Sequence, residues 1–233
     1  MACSVVLIAS AWSSSARGAP HTIEDLYRNG DIVVDHQPYP YGGGASDTAY
    51  VGGYTWQRIA DDILLMESAT ICHINWLGYY VMDNPPATET MRIRFYGARD
   101  GDGLPDDDNI VYEESFLNPS RIATGQTVWV GVYPDEYLYE VNLSTPATLE
   151  ADTPYWLEIA QIGDPETMFG WEFSLADLNG QAFINPATVD WRATSSIMAD
   201  TAFQLLTVPE PSALGLVSLG MILVGKRRGR KKG

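Results

Sequence analysis

Between residues 19 and 207 the sequence has no lysine at all. The three lysines of this 233-residue chain all sit in its last eight positions, and residues 19–207 carry seven arginines against 29 acidic residues, a net charge of −22. A surface of that sign repels phosphate backbones and anionic lipid, so nucleic-acid binding and membrane-surface binding by this region are poor expectations. Solubility, divalent cations and basic partners remain compatible with it. Cysteine is nearly as scarce. Cys3 lies in the N-terminal apolar segment, which leaves Cys72 as the one thiol of the main body and no internal disulfide. Cys72 stands in an alternating apolar run and reads as a small buried hydrophobe.

Catalytic patterns are missing as well. The three histidines, His21, His36 and His73, are scattered, and no G-x-S-x-G elbow, H-E-x-x-H helix or Cys-His set occurs. Gly42-Gly43-Gly44 is followed by neither Lys-Ser/Thr nor a helix start, so it is no phosphate cradle. Carboxylate neighbours such as Asp61-Asp62 and Glu113-Glu114 could serve a glycosidase, but among 29 acids such neighbours arise by chance. Asp61 and Asp62 read instead as turning the chain before Ile63. The expectation is a protein that is not an enzyme.

Helical periodicity is almost absent too, while period-two stretches recur between Gly, Pro and Asp. A first piece, Ile32 to Val34, precedes a floppy connector from Gln37 to Gly44. Tyr54 to Ile59 and Ile63 to Met66 flank Ala60-Asp61-Asp62. Ala69 to Val81 is the clearest strand, with Cys72, Ile74 and Trp76 on one side and Ile71, His73, Asn75 and Leu77 on the other. Met91, Ile93 and Phe95 alternate with Arg92, Arg94 and Tyr96. Further strands are expected over Ile110 to Phe116, Thr127 to Tyr133, Tyr137 to Leu143, Tyr155 to Ile162, Met168 to Phe173, Ala182 to Ile184 and Ala202 to Leu206. The fold class is therefore all-β: a two-sheet antiparallel sandwich, jelly-roll-like, over residues 19–207.

Both ends have a different character. Val5 to Trp12 is a short apolar run followed by Ser, Ala and Gly, the pattern of a secretory signal peptide over residues 1–18, although no basic residue precedes it and the true start is expected upstream. At the other end stand Val208, Pro209, Glu210 and Pro211. They are followed by an uncharged apolar run from Ala213 to Gly225 and a basic cluster of Lys226, Arg227, Arg228, Arg230, Lys231 and Lys232. The prolines end the folded domain. As a helix, residues 213–225 rise only about 20 Å, short of the roughly 30 Å hydrocarbon core. The basic cluster behind it puts the C-terminus in the cytoplasm.

Pro-Glu-Pro, one hydrophobic helix and a terminal basic cluster together resemble the PEP-CTERM sorting signal over residues 208–233. That resemblance implies export, an inner-membrane anchor through the C-terminal helix alone, and an exosortase-type processing enzyme as partner. Arg58-Ile59-Ala60-Asp61-Asp62, Trp76-Leu77-Gly78-Tyr79-Tyr80, Ile93-Arg94-Phe95-Tyr96, Gly103-Leu104-Pro105, Thr153 to Leu157 and Gly170-Trp171 also resemble a β-sandwich module recurrent among such surface proteins. That second resemblance brings no activity with it.

Two local patterns suggest binding. In the stretch Asp100 to Asn109, Asp100, Asp102 and Asp106 alternate around a glycine, which suits calcium, although the first and last EF-hand positions would be Ala98 and Asn109. The plain alternative is an acidic hairpin joining Tyr96 and Ile110. Trp76, Trp129 and Trp156 lie in strand patterns and read as core, whereas Trp171 and Trp191 are expected to be exposed and able to stack on sugars. The leading expectation is a non-catalytic surface or extracellular-matrix protein. A lectin-like module binding extracellular polysaccharide, with or without calcium, comes second, and a polysaccharide-acting hydrolase third.

Overall fold

The computed structural model describes residues 31–48, 57–81, 83–129, 132–163, 166–174, 181–184, 190–193 and 200–207. The expected signal peptide, C-terminal helix, Pro-Glu-Pro motif and basic cluster lie outside them. Among the described residues there is no helix, and every ladder between strands is antiparallel. The strands are β1 (Ile32–His36), β2 (Pro38–Ala45), β3 (Arg58–Leu64), β4 (Ala69–Val81), β5 (Thr90–Ala98), β6 (Pro105–Leu117), β7 (Ser120–Trp129), β8 (Val132–Leu149), β9 (Pro154–Gln161), β10 (Met168–Ser174), β11 (Gln181–Ile184), β12 (Arg192–Ala193) and β13 (Phe203–Thr207). They form one sheet of order β1-β13-β4-β10-β2-β7-β8 and a second of order β12-β11-β3-β9-β5-β6.

Alternating residues build the core between the sheets. Trp76, Tyr139, Phe169, Trp171 and Phe203 of the larger sheet meet Met91, Ile93, Phe95, Leu157 and Ile159 of the smaller, and all are buried. Trp76 and Tyr139 stack with centroids 5.0 Å apart and planes 5° from parallel. Burying one such aromatic side chain is worth about 2–3 kcal/mol, so this layer is the main source of cohesion.

β4 organises the larger sheet. One of its edges pairs with β8 from Ala69 to Tyr79, and the other pairs first with β13 and then with β10. Because β10, β2, β7 and β8 also pair in sequence, these strands close on themselves. Both faces of β4 are consequently buried, with Leu77, Leu138 and Ala202 forming an apolar cluster on the face away from the main core.

Three expectations are corrected here. Gln37 to Gly44 is no floppy connector, because Pro38–Ala45 is a strand between β10 and β7. Gly43 is required by close approach: a Cβ there would stand 2.3 Å from Tyr79 Cε1 and 2.5 Å from the Trp171 carbonyl oxygen. Asp61 and Asp62 do not turn the chain, since they lie in the middle of β3. The strand read as Tyr137 to Leu143 is longer at both ends, running from Val132 to Leu149 through Ser144-Thr145-Pro146.

Candidate functional site

β3 places Asp61 where an apolar side chain would ordinarily sit, between Ile59 and Ile63, and Asp61 is fully buried. One carboxylate oxygen, Oδ2, accepts from the Thr201 amide at 2.5 Å and from the Thr201 hydroxyl at 2.7 Å, and His36 Nδ1 stands 3.4 Å from it. The other oxygen accepts from the Asp62 amide at 3.1 Å. Asp200, also fully buried, precedes Thr201, whose backbone bridges to Phe173 of β10. The site thus gathers β1, β3 and the segment entering β13.

Carboxylate oxygens of Asp61, Asp62 and Asp200 all lie within 4.8 Å of one another. Burial pushes the Asp61 carboxyl above its ordinary range, and the neighbouring imidazole of His36 offsets part of that rise. Asp62 is pushed up to about 6, first by burial and then by the charges of Asp61 and Asp200. Three carboxylates this close cannot all stay ionised without a counter-charge, so the arrangement can hold a proton, an imidazolium or a hard cation. Sequence reasoning missed this group because Asp61 and Asp200 lie 139 positions apart. The available signal was a pair of aspartates between apolar residues with strand spacing.

Asp100, Asp102 and Asp106 are placed differently. Asp102 is held by Arg99, which donates through Nη2 at 2.8 Å and Nε at 3.1 Å, and its Oδ1 also accepts from the Leu104 amide at 3.2 Å. Asp106 accepts from the Asp108 amide at 3.0 Å, while Asp100 is exposed in the turn. Gly101 and Gly103 adopt φ of +99° and +72°, so this stretch is a tight acidic hairpin whose glycines serve the turn. The three aspartates are not brought together as a group, and the sequence alternative of a hairpin describes their placement.

The two tryptophans expected to be exposed are both buried, Trp171 at 0% and Trp191 at 2% relative exposure. This corrects the reading of them as open stacking platforms. Strand alternation sends Trp171 into the main core against Phe203, where its indole nitrogen donates to the Ala202 carbonyl at 3.1 Å. Trp191 closes a smaller cluster over the outer face of the second sheet, edge-on to Tyr96 at 5.7 Å and under the Arg58 guanidinium at 5.1 Å. Trp76 and Trp156 are buried as expected, and the Trp129 side chain lies outside the described residues.

Two further polar groups are internally satisfied. Glu158, fully buried on β9, accepts from Arg58 at 2.8 Å, from Arg92 at 2.8 Å and from the Tyr96 hydroxyl at 2.7 Å. Glu89 accepts from Tyr80, from Tyr139 at 3.3 Å and from Arg121 at 2.9 Å, which ties the segment before β5 to the larger sheet. With their oxygens committed to protein donors, both networks act as structural pins.

The described body is an antiparallel β-sandwich whose last strand ends at Thr207. From that same residue onward, the family model of the PEP-CTERM protein-sorting motif matches residues 207–231. The chain therefore carries the sorting motif of a PEP-CTERM protein, and the motif implies export, a membrane-anchored sorting signal and recognition by an exosortase. Among curated proteins nothing matches the chain.

Proposed function

We propose that this chain is a non-catalytic surface or extracellular-matrix protein, held in the inner membrane by residues 213–225 and processed by an exosortase-type enzyme at Val208-Pro209-Glu210-Pro211. The observation that carries the reading is the junction at Thr207, where a finished β-sandwich gives way to the sorting motif with no intervening domain. The aromatic-rich interior supports a structural role, since its largest rings are spent on cohesion. In this reading the basic cluster 226–232 lies in the cytoplasm and the net charge of −22 is displayed outside.

The test is the position of the mature termini, read by mass spectrometry from membranes, cell surface and medium. The expected products lack residues 1–18 and the stretch 213–233, and exchanging Pro209 and Pro211 for alanine leaves the anchored form in the membrane fraction. Recovery of the intact chain, both ends uncut, from the soluble interior would overturn the proposal. Calcium, which the sequence offers only as a possibility at Asp100, Asp102 and Asp106, has the better-gathered carboxylates at Asp61, Asp62 and Asp200. A chelator-sensitive melting midpoint that Asp62→Asn makes insensitive supports it there, and an insensitive one in the unmodified chain removes calcium.

A further inference from the structure

We infer that, while the chain is anchored, the pole of the sandwich formed by the β3–β4 turn lies in the headgroup layer of an aminophospholipid membrane, with Leu64 and Met66 as its contact residues. The inference rests on the membrane tether proposed above and adds an orientation and a lipid-facing surface to it.

Direction comes from the ladder between β13 and β4. Phe203 stands opposite Trp76 and Thr207 opposite Ile71, so the chain leaving Thr207 runs toward Ala69 and the turn at residues 65–68. Distance comes from chain length. Residues 208–212 separate Thr207 from the apolar run at Ala213, and six Cα steps reach about 21 Å at full extension. The turn lies at least three residues, about 10 Å, ahead of Ile71 in the same direction. The slack that remains, about 10 Å, is comparable to one headgroup layer.

The surface chemistry at this pole fits that position. Met66 is 81% exposed and Leu64 61%, although both are large apolar side chains. The turn packs against the one between β8 and β9: the Asp152 amide donates to the Leu65 carbonyl at 2.9 Å, and the Ser68 hydroxyl to Glu150 at 2.9 Å. Asp31, Glu67, Glu150 and Asp152 are exposed around it. This acidic ring opposes an anionic leaflet and pairs with the ammonium of phosphatidylethanolamine, while Leu64 and Met66 bury apolar surface among the headgroups. Leu117, also exposed, lies at the other pole. Its partner Thr90 adjoins Gln161, seven residues and about 23 Å along β9 from Pro154, the partner of Leu64. That pole lies opposite to the direction in which the chain leaves Thr207.

The test uses the full chain carrying Cys3→Ser, with a fluorophore on Met66→Cys or on Leu117→Cys, in phosphatidylethanolamine–phosphatidylcholine vesicles doped with headgroup-nitroxide lipid. Cys72 is buried and stays in place. We expect quenching at position 66 to exceed that at 117 several-fold, and to fall when phosphatidylglycerol replaces phosphatidylethanolamine. Equal quenching at the two positions in a chain that floats with the vesicles overturns this orientation and leaves the proposed function standing. Unchanged quenching on phosphatidylglycerol overturns the aminophospholipid assignment. A chain that does not float with vesicles at all overturns the tether and this inference together.

Discussion

The amide of Thr207 donates to the carbonyl of Asp31 at 3.1 Å, and the Thr207 hydroxyl donates to the same oxygen at 3.3 Å. The two ends of the described body therefore meet at one point, with Ile32 paired to Leu206 beside it. Everything between hangs from that junction, and the sorting motif begins there.

Removal of the tail should leave the fold intact, whereas removal of β13 should abolish it. A chain ending at Thr207 is expected to melt as the full chain does. One ending at Ala202 loses the buried side chains of Phe203, Leu205 and Leu206. At about 1.5–3 kcal/mol each, that loss rivals the whole stability of a domain of this size. Circular dichroism melts of the two truncations check this.

Acidification should stabilise the body. Asp62 is pushed up to about 6, and Asp61, Glu89, Glu140 and Glu172 are also raised, in each case first by burial. A carboxyl whose folded pKa exceeds its unfolded value binds protons more tightly in the native state. Its contribution is thus fully present below the unfolded pKa near 4 and is lost as pH rises through the folded value. With chelator present, so that the site is metal-free, the melting midpoint should be higher at pH 5 than at pH 7.5, and Asp62→Asn should flatten the part of that slope near pH 6.

Breaking the Glu158 network should be expensive. Glu158→Ala strips two arginines and a tyrosine of their shared acceptor in a site where the carboxylate is fully buried. Because Arg58 and Arg92 keep some solvent contact, a loss of about 2–4 kcal/mol is expected, toward the lower side of the usual range for buried pairs. Urea unfolding of the variant measures it.

Tyr79 and Gly170 should prove coupled. A Cβ at Gly170 would stand 2.2 Å from Tyr79 Cζ, so Gly170→Ala overpacks the site and should cost about 1–3 kcal/mol. In a Tyr79→Ala background the same change should cost much less, and a double-mutant cycle reads the difference directly. Equal costs in both backgrounds would contradict the contact.

Much of the architecture was legible where one residue type alternates with another. Met91, Ile93 and Phe95 against Arg92 and Arg94 announced β5, and the half-buried arginines now pair with Glu158 and Glu113. The β4 run was read as an alternating strand with His73 and Asn75 on its second side, and the closure of the larger sheet onto β8 accounts for the burial of that side as well. What escaped were features fixed by distant partners. A triple glycine in isolation reads as slack, and only its ladder with β10, which crowds Gly43 against Tyr79 and the Trp171 carbonyl, makes it a strand. Two adjacent aspartates read as a turn until Thr201, 140 positions away from Asp61, supplies donors for a buried carboxylate. Gly170 beside Trp171 suggested an exposed ring. The glycine is there to admit Tyr79 on one face, and the tryptophan occupies the other.

Of the described strands β13 is the last to be synthesised, yet it lodges between β1 and β4, the first and fourth of them. The larger sheet thus has an open seam until residue 207 has been delivered, and contacts such as Ile32 with Leu206 span almost the whole body. Such long-range pairing is slow to form. A polypeptide wired this way cannot close its larger sheet until its keystone is made, so the body stays incomplete up to the residue at which the sorting motif begins.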